Sequence, residues 1–166
     1  MSATSKNSIS LAGEFLVLSH LSLRGYIATL TLGHTKGVDI LLSNPETGKL
    51  FKLEVKTTTG SPHKSKHYGL NIGWHMSEKH ESITDKNLFY CFVQLENAKP
   101  DNPRFFIVPS VTVAKKVKED DDFYYALEHK NPVRHTEMRW FFIGLDDEAR
   151  GLPMAEYENN WSYFDK

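Results

Sequence analysis

The sequence predicts a single α/β domain, with a central mixed β-sheet of about five or six strands flanked by helices. Three observations carry that expectation. Leu11, Phe15, Leu18 and Leu21 recur at helical spacing near the start of the chain, as on a helix with one buried stripe. Val38 to Ser43 and Lys49 to Thr57 are apolar, β-branched runs on either side of Asn44-Pro45-Glu46-Thr47-Gly48, which is turn chemistry between two strands. Asn87 to Leu95 is almost unbroken apolar sequence of strand length, the pattern of a strand buried on both faces.

The bulk numbers set the limits within which these elements act. A length of 166 residues suits one domain spanning 1–166, and 40% hydrophobic with 25% charged residues is enough to build an ordinary core. A formal net charge of -1 argues against a protein that coats nucleic acid along its length, while leaving room for a local basic footprint. The single cysteine, Cys91, lies inside the apolar run, so it reads as a small buried hydrophobe. One cysteine permits no intrachain disulfide, and the first ten residues lack an apolar signal segment. The expectation is a soluble, cytoplasmic protein.

In chain order, Ser8 or Ser10 can cap a helix running to Leu23, which Arg24-Gly25 ends. Tyr26 to Leu32 reads as the first strand, and Gly33-His34-Thr35-Lys36-Gly37 leads into the hairpin. Thr58 to Gly73 is polar, basic and poorly periodic, so a long loop is expected. Trp74 to Glu81 opens like a helix, with Ser77 as its cap and Glu78 and Glu81 in its first turns. After the apolar strand, Lys99 to Arg104 is a turn and Phe105 to Val108 a further strand. Ser110 caps a helix to about Lys118, with Val111, Ala114 and Val117 on its inner side. The run Glu119-Asp120-Asp121-Asp122 reads as a solvated cap before a short helix, Phe123 to Glu128. Arg139 to Ile143 is the last strand, and Trp161 and Phe164 are expected to pack back onto the domain.

Side chains alternate faces along a strand, so the hairpin can be sorted by parity. Phe51, Leu53 and Val55 point one way and Lys52, Glu54 and Lys56 the other. If the apolar sets of both strands share the core face, Asp39, Glu54 and Lys56 converge on the opposite one. Two carboxylates beside a lysine form a site for a hard divalent cation. Glu14, near the apolar stripe of the first helix, either packs its stem and sends its head to water or joins a cation site.

Asp39, a strand-turn-strand, and then Glu54-Val55-Lys56 resemble the PD-(D/E)xK signature of restriction-endonuclease-like and Holliday-junction-resolvase-like nucleases. Glu14 matches the extra acidic residue that many of these families carry on a leading helix, while Val38 stands where their proline would be. The resemblance covers roughly the first half of the chain. It implies an αβββαβ core and metal-dependent hydrolysis of DNA phosphodiester bonds, in repair, recombination, restriction or defence. It further implies Mg²⁺ or Mn²⁺ held by Asp39, Glu54, the Val55 carbonyl and Glu14, with Glu14, Asp39, Glu54 and Lys56 as the catalytic set.

Thr57, Thr58, His63, Lys64 and Lys66 follow the signature and can contact phosphates, with Tyr68 or Trp74 available for stacking. Lys79 stands on the helix that in such folds often adds a polar group. DNA is the expected partner and RNA the lesser one, and a homodimer or a second protein can complete a small nuclease domain. The alternative is a nucleic-acid-binding, nuclease-like module that is inactive or requires a partner protein. None of these patterns specifies a membrane.

Overall fold

The computed structural model describes residues 4–32, 37–99 and 101–165. The expected Gly33–Lys36 lead-in to the hairpin lies outside them. Helix α1 spans Lys6–Leu23, and Ser5 caps it by accepting a hydrogen bond from the Ser8 N–H at 3.1 Å. Its start therefore falls a turn before the expected Ser8 or Ser10 cap. The buried face is Gly13, Val17 and Leu21, whereas Leu11 and Phe15 are 47% and 54% exposed. Two apolar stripes overlap on this helix, and periodicity alone does not choose between them. Gly25, with φ of +83°, ends the helix in the left-handed conformation that glycine adopts without strain.

Strands β1 (Ile27–Leu30), β2 (Ile40–Ser43) and β3 (Leu50–Thr58) follow as an antiparallel meander. The Asn44 side chain accepts from the Glu46 and Thr47 N–H groups at 2.8 and 3.3 Å, fixing the β2–β3 turn. Its amide donates to the Phe164 carbonyl at 2.8 Å, tying the C-terminal segment to this turn.

Two strands then come where a loop and a helix were expected. β4 is His63–Ser65 and β5 is Gly69–Ser77, followed by a single 3₁₀ turn over Glu78–Ser82. The signal was present in the sequence: Ile72, Trp74 and Met76 alternate with Asn71, Gly73 and His75, which is period two rather than 3.6. A hairpin and a 3₁₀ turn thus link β3 to its parallel neighbour β6 (Leu88–Gln94), replacing the helix of the expected core. β6 is buried along its whole length, and burial pushes the Cys91 thiol well above its ordinary pKa.

β7 (Arg104–Pro109) pairs antiparallel with β6. Helix α2 is continuous from Ser110 to Ala126, so the acidic run lies inside a helix and not at a solvated cap between two. β8 (Met138–Gly144), β9 (Leu152–Pro153) and a short helix α3 (Met154–Tyr157) complete the chain, with Trp161 and Phe164 buried.

The result is one α/β domain with a mixed five-stranded sheet, order β1-β2-β3-β6-β7, and a four-stranded sheet, order β4-β5-β8-β9. Leu53, Val55, Cys91 and Ile107 face Val17 and Leu21 of α1 together with Trp161 and Phe164. On the other face, Tyr90, Phe92 and Phe106 pack against Trp74 and Phe141 of the second sheet and Val113 and Val117 of α2. Among the described residues no helix is long and apolar enough to cross a membrane.

Candidate metal and nucleic-acid site

The β2–β3 register pairs Ile40 with Leu53, which sets Asp39 opposite Glu54, and the Asp39 N–H donates to the Leu53 carbonyl at 2.8 Å. Asp39 Oδ2 accepts the Val55 N–H at 2.7 Å. The carboxylate thereby serves a backbone donor at the point where β2 begins. A strand residue turns its N–H and C=O toward the same neighbour, so the Val55 carbonyl opens on this edge as well. Lys56 Nζ lies 2.5 Å from Glu54 Oε1. The parity reading of the sequence therefore corresponds to a real juxtaposition of Asp39, Glu54 and Lys56.

One neighbour came from beyond the hairpin. His80, on the 3₁₀ turn, is buried and sets Nε2 3.3 Å from Glu54 Oε1, while its Nδ1 rests on Ser77, 2.9 Å from the carbonyl and 3.0 Å from Oγ. An ionised carboxylate only accepts, so Nε2 carries the hydrogen in that pair. Lys79, expected to supply this group, is exposed. Tyr90 stands opposite Glu54 on β6, and burial and then the Glu54 charge raise its pKa; among the described residues its hydroxyl and Glu54 Oε2 are buried without a hydrogen bond of ordinary geometry.

The electrostatics separate the carboxylates. Burial pushes Glu54 toward protonation, but the His80 hydrogen bond and the charge and hydrogen bond of Lys56 overcome it and bring its pKa down to about 2. Asp39 is held above the ordinary value: burial and the Glu54 charge outweigh the Val55 N–H and Lys56. Glu14 is raised too, by burial and then by Asp39, which puts those two carboxylates within electrostatic reach. Among the described residues, two carboxyls raised in pKa and one buried carboxylate oxygen without a hydrogen bond make a setting that would suit a divalent cation. Among the described residues no group of three His, Cys, Asp or Glu side chains is disposed to hold a metal alone. Asp39 and Glu54 would need the Val55 carbonyl, water or a phosphate to complete the coordination sphere.

The depressed Glu54 value has a consequence for acid stability. Its contribution is fully present above pH 4.5 and is lost as pH falls toward 2, and complete loss amounts to about 3 kcal/mol. With chelator present, urea melts between pH 5 and 2 should show that loss. His80→Ala should flatten the profile, because the largest single interaction lowering Glu54 is removed; an unchanged profile would contradict the assignment.

Gly13 sets how close Glu14 comes to the hairpin. A Cβ on Gly13 would collide with Thr57 Oγ1 and stand 3.1 Å from Thr57 Cβ. Gly13→Ala should cost about 1–3 kcal/mol by overpacking, measured by urea denaturation, and Thr57→Ala in the same chain should recover much of it. Equal stability of Gly13→Ala and the parent would show that α1 does not depend on this contact.

Thr57 thus packs under α1, away from the face that carries Glu54 and Lys56, while Thr58 shares that face. His63, Lys64 and Lys66 are exposed on and beside β4. Trp74, one of the two expected stacking residues, is buried and donates Nε1–H to the Val93 carbonyl at 3.0 Å. Trp140 is the tryptophan that reaches the surface, 37% exposed.

No protein-family model and no curated protein matches the sequence. Among solved structures, the chain is similar in fold to the bacterial homing endonuclease I-Ssp6803I, with a TM-score of 0.53 over 95% of this chain and 91% of that one. At 13% sequence identity the likeness is one of fold.

Proposed function

We propose that this chain hydrolyses phosphodiester bonds of DNA, using Mg²⁺ or Mn²⁺ held by Asp39 and Glu54 with the Val55 carbonyl, in the manner of PD-(D/E)xK nucleases. The observation that carries the reading is the register setting Asp39 opposite Glu54, with Lys56 at 2.5 Å from Glu54. The fold shared with a homing endonuclease supports it.

The cation, when bound, would polarise the phosphate and lower the pKa of a coordinated water. Asp39 is held in orientation by the Val55 N–H. Glu14 offers a further carboxylate within electrostatic reach of Asp39. Lys56 carries the mobile positive charge: its ammonium can leave Glu54 for the attacking water or a non-bridging phosphate oxygen, stabilising negative charge as it develops. His80 keeps Glu54 ionised as Lys56 moves.

A second reading, a nuclease-like module that binds nucleic acid and cuts only with a partner chain, draws on Glu54 Oε1 being already engaged by Lys56 and His80. Cleavage of end-labelled linear, forked and single-stranded DNA with Mg²⁺ or Mn²⁺, beside melting curves with the same ions, separates the two. The nuclease reading expects metal-dependent products and a melting temperature that rises with metal. Both effects should be absent in Asp39→Ala. A thermal shift without cutting favours the partner-dependent module, and neither effect sinks both metal readings.

A further inference from the structure

We propose that the cavity beside the second sheet is a stacking pocket for an unpaired nucleobase. The substrate class would then be nucleic acid that presents a single-stranded base next to the phosphate being cut. This rests on the nuclease reading above and specifies its substrate.

The cavity, about 530 Å³, lies between the segment after β3 and the outward face of β5 and β8. Glu54, Lys56 and Thr58 alternate onto one face of β3, and Thr58 lines the cavity. At about 3.3 Å per residue, Thr58 stands roughly 7 Å along the strand from Lys56. The pocket therefore adjoins the candidate site.

Its walls are aromatic. The β5–β8 register sets Gly73 opposite Phe142 and His75 opposite Trp140. Gly73 has no side chain, and the Phe142 ring takes the space, 2.9 Å from where a Cβ would stand. Trp140 and Phe142 lie nearly parallel, 8° apart, with centroids at 5.8 Å, and His75 leans on Trp140 at 3.9 Å. His75 is exposed, so this row of rings is open to an incoming π-system. Thr58 and His63 offer hydrogen-bonding groups for a base edge.

The cavity lining admits an anionic guest. From Val55 through Ser77 the chain has no Asp or Glu but carries Lys56, Lys64 and Lys66, and no acidic side chain lines the cavity. Its volume is within the range of small-molecule sites. A continuous duplex shows base edges in its grooves and keeps its base faces stacked inside. Aromatic faces in a concavity can stack only on a base that is already unpaired or has been splayed out.

The test reads binding without cleavage. The full chain, with chelator present, is titrated into a fluorescein-labelled 15-nucleotide single strand, the matching blunt duplex, and a duplex bearing a single-stranded arm. Trp74 and Trp161 are buried, so quenching of tryptophan emission reports Trp140. The single strand and the armed duplex should bind more tightly than the blunt duplex and quench emission. Trp140→Ala should weaken single-strand binding about tenfold, with Trp140→Phe retaining most of it and blunt-duplex binding unmoved. His75→Ala, at an exposed position, gives a second comparison if Trp140→Ala folds poorly. Equal binding of single strand by Trp140→Ala, His75→Ala and the parent would overturn the proposal and leave the rings as a cover for Gly73. A blunt duplex bound more tightly than single strand would overturn it too. Failure of hydrolysis is visible separately: quenching that persists in a chain that cuts nothing refutes the nuclease reading and leaves the stacking pocket in place.

Discussion

Lys56→Ala is expected to lower metal-dependent cleavage by about 10²–10³-fold, the usual loss when one group stabilising developing charge is removed. Lys56 Nζ is 2.5 Å from Glu54 Oε1 and its side chain is 28% exposed, so it can face the carboxylate and a substrate phosphate in turn. Removing it has a second effect. Burial is the largest influence on Glu54, and Lys56 is one of two groups holding the carboxyl ionised against it. Glu54 in Lys56→Ala should therefore ionise at higher pH, shifting the acid limb of the activity profile upward. Lys56→Arg keeps the charge but not the compact ammonium, so it should recover the acid limb better than the rate. Cleavage by Lys56→Ala at the parental rate would remove Lys56 from the chemistry.

The second large effect concerns stability. Lys116→Met should destabilise the chain by up to about 3–5 kcal/mol, because it takes the nearer of two cationic partners away from a buried carboxylate. Asp120 is 2% exposed, with Lys116 Nζ at 2.6 Å and Arg150 Nε at 3.5 Å. Burial nevertheless pushes the Asp120 pKa up, ahead of the opposing pull of Lys116 and Arg150. The sign follows. A carboxyl raised in the folded state costs stability as pH rises through its folded value, so the ion pair does not recover the whole cost of burying this charge. Lys116→Met combined with Asp120→Leu should accordingly restore much of the loss, as buried pairs replaced together often do. Urea denaturation of the two single variants and the double variant measures it. A double variant as unstable as the sum of the singles would show that the pair itself holds α2 in place.

The same helix shows how reading and structure part. Glu119 to Asp122 looks solvated in sequence because a run of four acids between two expected helical segments reads as a cap. The partners are Lys116 one turn earlier, Arg150 in a distant segment, and Arg139 on β8, 3.2 Å from Asp121. Trp74 is a comparable case. An aromatic between polar residues reads as a surface platform, yet period-two alternation puts it in the core and leaves Trp140 outside.

What the sequence determined by itself was local: the hairpin, with its Asn-Pro-Glu-Thr-Gly turn, and the parity that puts Glu54 and Lys56 on one face of β3. Those depend on backbone geometry that repeats every two residues and on turn chemistry contained in five. The buried strand β6 was legible for a similar reason, since an unbroken apolar run of that length can be solvated on neither face. Only the tertiary structure decided which face of α1 is buried, that His80 meets Glu54, and that the segment after β3 folds back as a second sheet. Each of these depends on packing between elements far apart in the chain. Period two marks β5 as a strand, but close approach at Gly13, a 3₁₀ turn set down beside β3, and the choice of β8 as the partner of β5 across about 65 residues are not written in the periodicity of the residues that make them.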